Sequence, residues 1–145
     1  MINTFPKSGE VERVVLMKTD YVEITLNNPG NYLIVTWLRP VLSHEYKHGI
    51  EETGHILLAN KLEKLLVNNQ RMGVLTMEDQ GWLAEISIRV ISKSKLRWLA
   101  VISSTDFLQQ ITNERLDARV KESTPYFDTQ YFLTERDGLE WLLQE

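Results

Sequence analysis

The sequence predicts an α/β fold in which an N-terminal β-hairpin or meander leads into a right-handed strand-helix superhelix with a mostly parallel sheet. Three observations carry this expectation. Leu65-Leu66-Val67 and Trp98-Leu99-Ala100-Val101-Ile102 are apolar runs of strand length. Between them, Thr76 followed by Asp79 opens an amphipathic segment anchored by Trp82, in the spacing of a capping box with Asp in place of Glu. Two strands joined through a helix of that length pair in parallel, with a right-handed crossover. Upstream, Asn28-Pro29-Gly30-Asn31 separates two β-patterned runs and marks a hairpin.

Taken in order, residues 1–10 are expected to form a flexible arm and residues 11–145 a single domain. Val14-Val15-Leu16-Met17 is a short strand, and Lys18-Thr19-Asp20 turns the chain. From Tyr21 to Leu26 the pattern alternates, with Val22, Ile24 and Leu26 on one face and Tyr21, Glu23 and Thr25 on the other. Tyr32 to Leu38 is apolar on both faces apart from Thr36, as in a strand covered on both sides. Ser43 is placed to cap a helix running to about Asn60, which Gly49 and Gly54 weaken by up to roughly 1 kcal/mol each relative to Ala. Its buried side is expected to carry Tyr46, Ile50, Thr53 and Leu57.

Asn68 to Gly73 is the polar exit from the first strand of the central unit, and Arg97 to Ser103 is the second strand. Asp106 is expected to cap a further helix opening at Phe107-Leu108, and the polar stretch from Asn113 to Ser123 has no assignment. Pro125 favours an extended approach to a last strand, Phe127 to Leu133. Thr134 with Asp137 repeats the capping pattern before a terminal helix bearing Leu139, Trp141 and Leu142.

A formal net charge of −4 leaves no chain-wide basic footprint, so nucleic acid is not an expected partner. Without cysteine there is no disulfide, thiolate nucleophile or thiolate metal site. No apolar run approaches the roughly 20 residues of a membrane span, and the first residues lack a signal-peptide core, so a cytoplasmic protein is expected.

Several stretches resemble the STAS-type fold of bacterial anti-sigma-factor antagonists, and in particular small bacterial proteins described as STAS-like or CRAL-TRIO-like. These are Trp37 ahead of a Ser-capped helix with Glu45-Tyr46, the exit Asn69-Gln70-Arg71-Met72, and Leu75 to Leu83 opening the central helix. Arg97 to Ile102, Phe132-Leu133-Thr134 and Trp141-Leu142 complete the resemblance. It implies a STAS-like superhelix, and its CRAL-TRIO-like side implies binding of an apolar or lipid-like molecule. Antagonists of this type that switch by phosphorylation carry a Ser or Thr, beside Asp and small residues, at the start of a helix. The comparable turn here, Asn69 to Thr76, holds one hydroxyl, Thr76, which capping already explains. A phosphate there would face a favourable helix N-terminus.

His44-Glu45-Tyr46-Lys47-His48 spells H-E-x-x-H, in which two histidines one turn apart bind zinc and the glutamate activates water. At about 100° per residue, however, His44, His48 and His55 fall within roughly 40° of one another, opposite the expected buried side. His44, His48, Glu51 and His55 thus form a solvent-facing stripe that could hold a surface cation, and a hydrolase is the remote alternative. Glu78 and Asp79 read as helix-dipole partners, Trp37 and Trp98 as core, and Arg71 as a surface cation able to meet an anion. The central helix carries two apolar stripes, one of Trp82, Leu83, Ile86 and Val90 and one of Ala84, Ile88 and Ile91. The second, with Arg71, is the candidate surface for a protein partner, a second copy or an apolar ligand. The expected function is a non-enzymatic interaction or regulatory module without a cofactor, and the alternative is a binding domain for an apolar or lipid-like molecule.

Overall fold

The computed structural model of the protein describes residues 12–105, 118, 120, 122 and 127–144. Within them lie β1 (Glu12–Lys18), β2 (Val22–Asn28), β3 (Tyr32–Trp37), α1 (Ser43–Asn60), β4 (Lys64–Asn68), α2 (Met77–Lys93), β5 (Trp98–Ile102), β6 (Asp128–Phe132) and α3 (Glu135–Leu142). The expected arm, the helix opening at Asp106, most of the stretch 113–123 and Pro125 lie outside the described residues.

The strands form one sheet in the order β1-β2-β3-β4-β5-β6. β1, β2 and β3 are an antiparallel meander, and β3 to β6 pair in parallel. The expected hairpin is there: Gly30 has φ of 105° and Asn31 φ of 49°, and β2 pairs with β3 from Val22↔Trp37 to Asn27↔Tyr32. The turn before β2 is held by Thr19, whose hydroxyl oxygen accepts the N–H of Tyr21 (3.1 Å) and of Val22 (2.9 Å).

Because side chains alternate along a strand, the sheet separates two cores. One face carries Val22, Ile24, Leu33, Val35, Trp37 and Leu65 and is covered by α1 and α2. The other carries Tyr32, Ile34, Leu66, Ala100 and Ile102 and is covered by α3 through Leu139, Trp141 and Leu142. β3 serves both faces, which accounts for its nearly uninterrupted apolar sequence.

The helix starts differ from expectation in one instructive way. α1 is capped by Leu42, not Ser43; the backbone N–H of Leu42 donates to Glu45 Oε1 at 3.0 Å, half of a capping box. Ser43 is the first helical residue, and its hydroxyl donates instead to Asp79 of α2, at 2.8 Å from Oδ1 and 2.6 Å from Oδ2. α2 is capped by Thr76 as expected, its Oγ1 accepting the N–H of Asp79 at 3.1 Å. Asp79 does not return the bond as a capping box would, because its carboxylate is turned to Ser43. Thr134 caps α3 in the same way, accepting the N–H of Asp137 at 3.1 Å.

Candidate functional site

Between the sheet and the two helices on its first face lies a cavity of about 160 Å³. Its floor is built in registered rows. Val35, Val67, Val101 and Tyr131 are successive partners across β3, β4, β5 and β6, and Leu65, Leu99 and Thr129 form a second row two residues earlier. Ile50, Thr53 and Leu57 of α1 close the roof on one side, and Leu83, Ile86 and Val90 of α2 on the other. The helices meet at Gly54, where an added Cβ would stand 3.3 Å from Val90 Cγ2.

At the C-terminal end of β3 the wall becomes aromatic. Trp37 and Tyr46 pack with ring centroids 5.3 Å apart, and Tyr46 meets Trp82 edge-on at 6.3 Å. Gly49 makes the first contact possible, because a Cβ there would lie 2.5 Å from Trp37 Cη2. Burial pushes the Tyr46 hydroxyl far above its ordinary pKa, and the charge of Asp79 adds to the effect. Tyr46 therefore stays a neutral phenol, and among the described lining residues none is Asp, Glu, Lys, Arg or His. Among the described residues, two buried polar atoms of lining side chains have no hydrogen-bond partner, Trp37 Nε1 here and Thr129 Oγ1 on β6.

Outside this end, Arg39 organises the charges. Its guanidinium donates to Glu45 through Nη1 (3.1 Å) and Nη2 (2.7 Å), to Asp20 (3.1 Å) and to the carbonyl of Pro40 (2.8 Å). The bonds from Arg39, and then the N–H of Leu42, hold the Glu45 carboxyl down at about 2. A carboxylate so engaged is a poor general base, which counts against the hydrolase alternative raised by H-E-x-x-H. His44, His48, Glu51 and His55 are all exposed, as the helical spacing requires. Among the described residues no group of three or more His, Cys, Asp or Glu side chains is placed to hold a metal ion.

The other expected site residues fall as follows. Thr76 is exposed, and Arg71 is exposed near the exit of β4. The two stripes assigned to α2 are flanks of one core-facing arc that includes Leu83, Ile86, Ser87, Val90 and Ile91. Ala84 is fully buried and Ile88 half-buried, so the surface expected of Ala84, Ile88 and Ile91 is not an open one. α1 meets α2 on the first flank, at Trp82 and Val90. Trp37 and Thr129 escaped notice as polar members of an apolar wall. The one signal for Thr129 is its place between Phe127 and Tyr131 on one face of an alternating strand.

No protein-family model and no curated protein sequence matches the chain. Among solved structures, the crystal structure of an uncharacterised protein of the DUF3478 family with a SpoIIAA-like fold, from Shewanella loihica PV-4, superposes with a TM-score of 0.52. The alignment covers 91% of this chain and 93% of that one, at 15% sequence identity. The fold is SpoIIAA-like. This is the STAS architecture that the motifs around Trp37, Thr76 and Trp98 resemble, and at this identity the similarity speaks for the SpoIIAA-like fold alone. No helix among the described residues is long and apolar enough to cross a membrane.

Proposed function

We propose that this SpoIIAA-like domain is a binding module that takes up a small, largely apolar molecule between its sheet and helices α1 and α2. The observation that carries the reading is the cavity of about 160 Å³ with an uncharged described lining. An apolar cavity of about 150 Å³ accepts benzene, so the volume suits an occupant of about six to ten non-hydrogen atoms. At about 24 cal/mol per Å³ of unfilled space, such a void forgoes on the order of 4 kcal/mol of packing, which an occupant restores in part. The test is titration with propylbenzene and butylbenzene, followed by native mass spectrometry and thermal unfolding. A one-to-one adduct and a rise in Tm are expected. Absence of both, at saturating probe, refutes the reading.

A second reading, self-association, has its own support at β1. This edge strand exposes Val14 and Val15 by 52% and 51%. A second copy of β1 laid antiparallel and centred on Val15 would set Glu12 opposite Lys18, a charge-complementary pairing. Sedimentation velocity over a concentration series checks it: a dimer lost in Val15→Lys supports the reading, and a monomer at all concentrations ends it.

A further inference from the structure

In a chain of net charge −4, one edge of the molecule is basic. Residues 61–64 and 93–97 hold five of the 16 Lys and Arg side chains, Lys61, Lys64, Lys93, Lys95 and Arg97, and one acid, Glu63. The fold joins the two segments at the entries of β4 and β5. There the carbonyl of Glu63 accepts the N–H of Arg97 (2.9 Å) and of Trp98 (3.0 Å), and Lys64 is the register partner of Trp98. The Trp98 ring gathers two of the charges, with Lys64 Nζ 5.7 Å and Arg97 Cζ 5.4 Å from its centroid. Among the described residues none of the five cations is in an ion pair. Lys64 is half-buried and the other four are exposed. Besides Glu63, the acid at this edge is Asp128, which follows Trp98 in register on β6.

Two of the cations have a local role. Lys61 caps α1 and Lys93 ends α2, where positive charge complements the helix dipole. Lys64, Lys95 and Arg97 stand on no helix and have no such role. Leu96 is buried between exposed Lys95 and Arg97, the alternation of an extended segment, so these two cations point outward about 6.6 Å apart. A compact anion is held by cations that converge on it, whereas these follow one another along a chain. An extended peptide with Asp or Glu at every second position repeats its carboxylates at the same interval of about 6.6 Å.

We infer that this edge, through Lys64, Lys95 and Arg97, docks an extended acidic segment of a partner protein. The charges are complementary and the repeats match. The arriving carboxylates also relieve the repulsion among five cations that carry no ion pair among the described residues.

The test is fluorescence anisotropy of a labelled peptide of alternating Glu and Thr, titrated with the full chain. Lys95→Glu/Arg97→Glu is compared with Lys47→Glu/Arg136→Glu, which changes the net charge equally in the first turns of α1 and α3, at the opposite edge of the sheet. The unmodified protein is expected to bind, more weakly as salt rises from about 50 to about 200 mM, and to ignore a peptide with Lys in place of Glu. Lys95→Glu/Arg97→Glu should lose at least about tenfold in affinity and the control less than about twofold. Should the first variant not fold, Lys95→Gln/Arg97→Gln takes its place, with an expected loss of about fivefold. Equal losses in variant and control would show that the peptide senses only the charge of the whole chain, and would overturn the inference. So would the absence of peptide binding at low salt. Tighter binding of tripolyphosphate than of the peptide, lost in the same variant, would assign the edge to phosphate. Recruitment to phosphatidylglycerol vesicles without peptide binding would assign it to a membrane surface, and either result overturns the acidic segment.

Discussion

Gly49→Ala asks the structure its sharpest question, because helix propensity and packing answer in opposite directions. Alanine at a helix interior is favoured over glycine by about 0.8–1.0 kcal/mol. The new Cβ, however, would stand 2.5 Å from Trp37 Cη2 and 3.0 Å from Cζ3. Carbon atoms rest about 3.5–4.0 Å apart, so the overlap is about 1 Å. The obstacle is a rigid ring, and overpacking of this kind costs about 1–3 kcal/mol. Net destabilisation of up to about 2 kcal/mol is expected in equilibrium urea unfolding, read at a common m value. If the ring yields by sliding into the cavity, the loss falls at the low end and butylbenzene binding weakens instead. Gly81→Ala is the internal control: nothing lies within 4 Å of where its Cβ would stand, so it should gain nearly the whole propensity term. Equal stabilisation by the two substitutions, with butylbenzene affinity intact, would refute the close packing of Trp37 on α1.

Thr129→Val removes a buried hydroxyl that has no partner among the described residues while keeping the side-chain shape, and should raise stability by about 1 kcal/mol in the same assay. Ser43→Ala removes the single hydroxyl proton shared between the two carboxylate oxygens of Asp79, which is 4% exposed, and should cost about 1.5–3 kcal/mol. Glu45 has a folded-state pKa of about 2 against an ordinary 4.5, so the stability it contributes is present above pH 4.5 and is lost as the pH falls toward 2. Acid titration monitored by circular dichroism should therefore show a shallower loss over that window in Glu45→Gln.

The elements whose formation depends on local pattern were legible in the sequence. β2 and β3 follow from alternation and from a doubly apolar run, the turn at Gly30 from its chemistry, and the starts of α2 and α3 from Thr76 and Thr134. Features that depend on what lies opposite were not. Ser43 has the composition of a cap, but a neighbouring helix brings Asp79 within 2.6 Å and a hydroxyl bonded to a buried carboxylate outweighs a cap bond. Ala84 and Ile91 look like an outer stripe, yet Ala84 is fully buried and Ile91 lines the cavity. The cavity is a shortfall of side-chain volume between layers, a quantity no single segment carries. Gly49 did offer a hint, lying on the same helical side as Tyr46 and Thr53, where a missing side chain signals a close neighbour.

The strands stand in the sheet in the order in which the chain delivers them. No strand has to be wedged between two already paired, and each newly completed edge is met by the next strand to appear. Loop closure is thereby kept between successive elements, where its entropy is smallest, while each parallel pair still waits on the chain that crosses between its strands. During synthesis the meander of β1, β2 and β3 can close before α1 exists, and β4 and β5 then extend it one at a time. The same order makes shortening from the C-terminal side a peeling rather than a puncture: removing α3 and β6 leaves β5 as a new edge and the pairing of every earlier strand unbroken.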